Sequence, residues 1–126
     1  MRIVSKKVSE NKLLSSEHAA EVVAKAMPEA DYLGCKVLII IPDGTRTAPV
    51  GTMFKAIHEQ VSSVTGAIDV MIALGTHQPM SEAEIERRLE ISHEERTGTY
   101  SEVRFFNHVW DDPDALRHIG TLQAEE

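Results

Sequence analysis

Apolar positions in this chain switch between helical spacing and unbroken runs, and the switches divide it into alternating helices and strands. Ala19, Val22, Val23, Ala26 and Met27 recur at helical spacing behind Ser16, which reads as an N-cap, and Pro28 closes the pattern. Residues 36–41 then read KVLIII, as a strand buried on both faces does. Val50, Met53, Phe54, Ile57, Val61 and Val64 mark one face of a second helix, with Thr47 as cap, Pro49 in the first turn and Gly66 at the end. Ile68–Leu74 is a second buried strand. Ser81 and Glu84 make a capping-box pattern framed by Met80 and Ile85, and that helix runs to Leu89. Residues 93–101 read as irregular, Val103–Phe106 as a third strand, and Asp112–Pro113 as the start of a short helix through Leu116. A fourth strand is expected to begin near His118. Residues 1–14 are polar with weak alternation, either a short strand or a flexible arm.

Strands joined by crossovers of this length pair in parallel, with the helices on the sheet faces. The expected fold is a single α/β domain over residues 1–126. It is a three-layer, Rossmann-like parallel sheet with helices on both faces, incomplete at its C-terminal side. A sheet without its outer strands also leaves homo-oligomerisation open.

Parallel α/β sheets collect ligands at the carboxyl ends of their strands, and this sequence places a polar loop there after each strand. Asp43-Gly44-Thr45-Arg46-Thr47-Ala48-Pro49 follows the first strand, Gly75-Thr76-His77-Gln78-Pro79-Met80 the second, and Asn107-His108 with Asp111 the third. Right-handed crossovers bring all of them to one edge. Asp43 and Thr45 suit a binding loop and equally a tight turn closed by side-chain-to-backbone bonds. Arg46, beside a helix N-terminus, suits a carboxylate or phosphate. His77 lies off any apolar stripe, as a half-exposed general acid/base must. His108 reads better as a loop-orienting residue than as a catalytic one. His18, His58, His93 and His118 read as solvated surface residues.

Composition narrows the picture. The net charge of −7 gives no reason to bind a nucleic-acid backbone or anionic lipid. Cys35, the single cysteine, can form no internal disulfide and reads as a buried, inert thiol. No apolar run approaches the ~18 residues of a membrane span, so the cytoplasm is the expected location. Phosphate-loop, Gly-x-Ser-x-Gly, His-Glu-x-x-His and Cys-x-x-Cys patterns are absent, and no histidine spacing marks a metal site.

The loops, in their order and spacing, resemble the lactate racemase family, nickel-pincer nucleotide-dependent racemases and epimerases of 2-hydroxy acids. Residues 43–49 are similar to its Asp-x-Thr-Arg-Pro-x-Pro loop, residues 75–80 to Gly-Thr-His-Arg-x-Met, Asn107-His108 to Asn-His-Asp, and Leu116–Thr121 to Leu-x-x-Leu-Gly-x-Thr. The likeness covers residues 33–122. It implies an isomerase in which a base takes the hydroxyl proton while the cofactor accepts a hydride and returns it to the other face of the keto acid. On that resemblance His77 is one of two catalytic acid/bases. Arg46 meets the substrate or cofactor anion, Asp43, Thr45 and Thr76 help hold it, and Gly75, Asn107 and His108 support the site.

The departures carry information. Thr47 replaces a proline, Gln78 stands where arginine is common, and Val109-Trp110 separate His108 from Asp111. They point to a subfamily with a different substrate. The family's second catalytic histidine, cofactor lysine and nickel-binding histidine fall outside the matched stretch. The expectation is therefore an N-terminal fragment, inactive alone and with no cofactor bound. Its partners would be a 2-hydroxy acid and a nucleotide-type cofactor. The alternatives are a standalone nucleotide- or anion-binding module and a protein that pairs through its sheet edge.

Overall fold

The computed structural model describes residues 3–7 and 13–121. Seven regular elements follow one another: α1 (Ser16–Ala26), β1 (Lys36–Pro42), α2 (Val50–Val61), β2 (Ala67–Ala73), α3 (Glu82–Leu89), α4 (His93–Thr97) and β3 (Arg104–Asn107). Short 3-10 turns occupy Glu29–Asp31 and Pro113–Ala115. The three strands form one sheet in the order β1-β2-β3, all parallel.

Register explains why the loops gather. Seven residues of β1 pair with seven of β2, from Lys36 opposite Ala67 to Pro42 opposite Ala73. The two strands thus end level, and the loops at residues 43–49 and 75–80 leave side by side. Asp69 pairs with Arg104 across β2 and β3, and the guanidinium grips the carboxylate through Nε and Nη2. An exposed pair of this kind adds only about 0–1 kcal/mol. It matters more for register, since a one-residue slip would invert every side chain of β3.

The core lies on one side of this sheet. Ile41, Ile68, Val70 and Ile72 are buried there with Phe54 and Val61 of α2 and Ile85 and Leu89 of α3. Helix α1 packs on α2. The parallel α/β sheet is as expected, but the expectation of helices on both faces is not met among the described residues. Leu38, Ile40 and Phe106 on the opposite face are 51%, 58% and 41% exposed. An unbroken apolar run such as KVLIII states that both faces can be buried; it does not supply a second covering layer.

Local chemistry moves several boundaries. Ser15, not Ser16, caps α1, and His18 closes its capping box by accepting from the Ser15 N–H at 3.0 Å. Helix α2 starts at Val50 behind Pro49 with no side-chain cap, so Thr47 is not used in that way. Residues 93–97 form α4 rather than an irregular segment, because Ser92 and Glu95 make a capping box of their own. The third strand sits one residue later than expected, at Arg104–Asn107. Ser81 and Glu84 make their capping box as read, and Asp112 caps the turn at Pro113 by accepting from the Asp114 N–H. No strand occurs near His118 among the described residues, nor in residues 3–7 and 13–14. The rest of the N-terminal segment, and residues 122–126, lie outside them.

Other residues depart from their reading. Cys35 is exposed, because it precedes β1 at the end of the sheet remote from the loops. His58 is half-buried in an aromatic group, its ring centroid 4.8 Å from that of Tyr100 and 6.1 Å from that of Phe54. Burial holds its imidazole below the usual histidine range.

Gly51 shows how closely α2 and α3 meet. A Cβ there would lie 2.5 Å from the Leu89 carbonyl oxygen and 2.8 Å from its carbon. In an open helix Gly→Ala gains about 1 kcal/mol. Here the contact is backbone and cannot swing aside, so overpacking of about 1–3 kcal/mol decides the sign. Gly51→Ala is expected to lower the urea unfolding midpoint; a raised midpoint would show that α3 gives way freely.

Candidate functional site

The first loop opens with a buried carboxylate. Asp43 is 5% exposed, directly after β1. Its Oδ1 accepts from the Thr45 backbone N–H at 3.1 Å and from the Thr45 hydroxyl at 2.6 Å. Oδ2 lies 2.5 Å from Nδ1 of His77. The Thr45 hydroxyl first, and His77 second, hold the Asp43 carboxyl at about 2, below the usual range. Asp43 is therefore ionised at neutral pH and can only accept hydrogen bonds. It follows that Nδ1 of His77 carries the proton. With the Nδ1–H donating to Asp43, the lone pair of the uncharged tautomer is at Nε2. The side chain of His77 is 56% exposed, so a small molecule can reach it.

The second loop holds His77 by its backbone. Gly75 adopts φ +62°, a left-handed conformation that costs glycine little, and the chain reverses so that the His77 N–H donates to the Leu74 carbonyl at 3.0 Å. The third loop braces the second. Asn107 accepts from the Met80 N–H and donates to the Met80 carbonyl, both at 2.9 Å, as a neighbouring strand would. The Trp110 indole N–H donates to the His77 carbonyl at 3.2 Å. The His108 N–H donates to the Ile72 carbonyl at 2.9 Å and extends the sheet ladder.

A cleft of about 510 Å³ opens over this arrangement, lined among others by Asp43, Thr45, His77, Gln78, Arg87 and Arg88. A smaller hollow of about 80 Å³ lies between the second and third loops, against His77, Asn107, His108 and Trp110. Asp43, Gly44, Thr45 and His77 thus converge as expected from the loop order, with Asn107 and His108 behind them. Arg46 is exposed and is not among the residues lining the cleft; the same holds for Thr76. Arg87 and Arg88 went unnoticed in the sequence. They fall in the last turn of α3, where basic residues ordinarily offset the helix dipole. In the sequence Trp110 reads only as an interruption of a motif. Its indole partner is a backbone carbonyl, which leaves no mark in sequence.

The model of the lactate racemase N-terminal domain matches residues 3–126. The chain belongs to this family. None of the curated proteins matches it. A crystal structure of a Thermotoga maritima protein from a structural genomics consortium superposes with a TM-score of 0.73 at 30% identity, covering 86% of this chain and 25% of that one. The lactate racemase apoprotein from Thermoanaerobacterium thermosaccharolyticum superposes with a TM-score of 0.54 at 18% identity, covering 82% of this chain and 26% of that one. At that identity the second likeness is one of fold. The chain spans about a quarter of the length of both structures. Among its described residues no helix is long and apolar enough to cross a membrane.

Two measurements test the geometry. The folded Asp43 carboxyl at about 2 lies below the unfolded value of about 3.9, so its contribution to stability is complete above that value and is lost as pH falls towards 2. Urea midpoints of the wild-type chain should fall more steeply between pH 4 and pH 2 than those of Asp43→Asn. Parallel curves would mean that the carboxylate is not held. Asn107→Ala removes both bonds to Met80 and should cost about 1–2 kcal/mol in the same assay at neutral pH; an unchanged midpoint would show that the brace is not under load.

Proposed function

We propose that this chain is the N-terminal part of a racemase or epimerase of 2-hydroxy acids, and that His77 is one of its acid/bases. The observation that carries this reading is the Asp43–His77 hydrogen bond at 2.5 Å beside an open cleft. Removing the hydroxyl proton of a 2-hydroxy acid needs an acceptor that is neutral near pH 7, accessible and fixed in one tautomer. The ionised Asp43 fixes the tautomer by accepting from Nδ1, and the bare Nε2 takes the proton. In the reverse direction the same atom gives the proton to the oxygen of that enantiomer, and the second acid/base serves the other one. The imidazolium formed in between is stabilised by the Asp43 charge. Asp43 thus acts in this reading through His77, more than by holding a cofactor.

Anion recognition falls to side chains around the dyad. Arg46 offers a guanidinium on the exposed side of the first loop and Thr76 a hydroxyl on the second for a carboxylate or a nucleotide phosphate; the Thr45 hydroxyl is already donated to Asp43 and holds the loop instead. Gln78, which lines the cleft, offers hydrogen bonds without charge, and the cations lining it are Arg87 and Arg88. Among the described residues no group of three or more His, Cys, Asp or Glu could hold a metal ion. That concerns a metal held by side chains alone, whereas the implied cofactor carries its own nickel; the proton chemistry at His77 is derived without it. Hydride storage belongs to groups beyond this set.

The 126-residue chain alone is expected not to interconvert D- and L-lactate, which chiral chromatography reads directly. Activity from this polypeptide alone would refute the division of labour. In the longer enzyme, His77→Ala should lower the racemisation rate by about 10²–10⁴-fold with the fold intact by circular dichroism. Wild-type turnover in that variant would remove His77 from the chemistry.

A further inference from the structure

Arg88 stands out among the residues around the cleft. Its Nε–H donates to the carbonyl of Pro42 at 3.1 Å, across 46 positions of sequence. That carbonyl belongs to the same planar peptide unit as the nitrogen of Asp43. A bond to it therefore sets the plane from which the Asp43 side chain departs. Arg88 also lines the cleft with Asp43 and His77.

The remainder of the side chain is held at a cost. Nη2 of Arg88 is shielded from solvent and has no hydrogen-bond partner among the described residues. A guanidinium does not shed its proton in a protein, so the charge stays where it is. A methionine would fill similar space without a stranded donor, and cores accept such exchanges readily. Packing alone does not account for an arginine at this position, whereas a directed donor to Pro42 does.

We propose that Arg88 is a positioning residue for the Asp43–His77 pair. By clamping the Pro42–Asp43 peptide from the last turn of α3, it keeps Oδ2 of Asp43 on Nδ1 of His77 and so keeps Nε2 free as the proton acceptor. Its importance for catalysis rests on the acid/base reading of His77; the clamp itself does not. Gly51 supports the arrangement, because the close approach of α2 to Leu89 seats the end of α3 beside Arg88's partner strand.

The His77 tautomer reads the clamp directly, in the 126-residue chain without substrate. Long-range proton–nitrogen NMR spectra distinguish an imidazole protonated at Nδ1 from one protonated at Nε2. The wild-type chain should show the Nδ1-protonated form, and Asp43→Ala should lose it. Arg88→Met keeps the length of the side chain but places a methyl where Nε was, and should lose that form as Asp43→Ala does. Arg88→Gln places its amide nitrogen the same number of bonds from the backbone as Nε. It should retain the wild-type tautomer although the charge is gone. Arg87→Met, also at the cleft, should change nothing.

A wild-type tautomer in Arg88→Met overturns the proposal, as does loss of it in Arg88→Gln or in Arg87→Met. If Arg88→Met fails to fold, a folded Arg88→Gln chain with the wild-type tautomer supports the clamp. If neither variant folds, Arg88 serves the fold and the proposal is lost. Because no turnover is measured, a failed racemase reading and a failed clamp give different results.

Discussion

The level ending of β1 and β2 is the constraint on which the site depends. Pro42 lies opposite Ala73 in a parallel pair, so Asp43 and the loop from Gly75 leave the sheet at the same height. A carboxylate and an imidazole 34 positions apart in sequence then meet at hydrogen-bond distance. A two-residue slip would preserve the faces of the strands and keep the core, yet would move Asp43 by about 7 Å along β1, well past the reach of the bond. The sheet can tolerate such an error; the site cannot.

Around that meeting point, each loop is held by another. Thr45 turns the first loop back on Asp43, Asn107 clasps Met80 as a strand would, and Trp110 fixes the carbonyl of His77. Most of these bonds involve a backbone group, so they fix where the loop runs rather than which side chain it shows. The exposed imidazole is thereby supported from below while its outer nitrogen stays open to the cleft. The acid/base role proposed for His77 needs such an arrangement, since a ring buried for rigidity could not be reached.

The molecule is uneven in how it is finished. One face of the sheet is closed by α2 and α3 over Phe54, Ile72 and Leu89, while Leu38, Ile40 and Phe106 on the other are open to solvent. The chain belongs to the lactate racemase N-terminal domain family and spans about a quarter of the length of both superposed structures.

Period and punctuation in the sequence sufficed for the strands, the parallel sheet and the gathering of Asp43, Thr45, His77 and Asn107 at one edge. Those follow from local rules, because strand direction and crossover hand leave few ways to arrange a β-α-β-α-β chain. Capping residues were legible too, though the choice between Ser15 and Ser16 needed His18 to answer from the next turn. Only the tertiary structure decided that Asp43 is spent on His77, that Arg46 stays outside the cleft, that Arg88 reaches back to Pro42, and that Leu38, Ile40 and Phe106 stay exposed among the described residues. Each of these depends on the distance between elements remote in sequence, and on backbone carbonyls that every residue carries alike, so no residue type announces them.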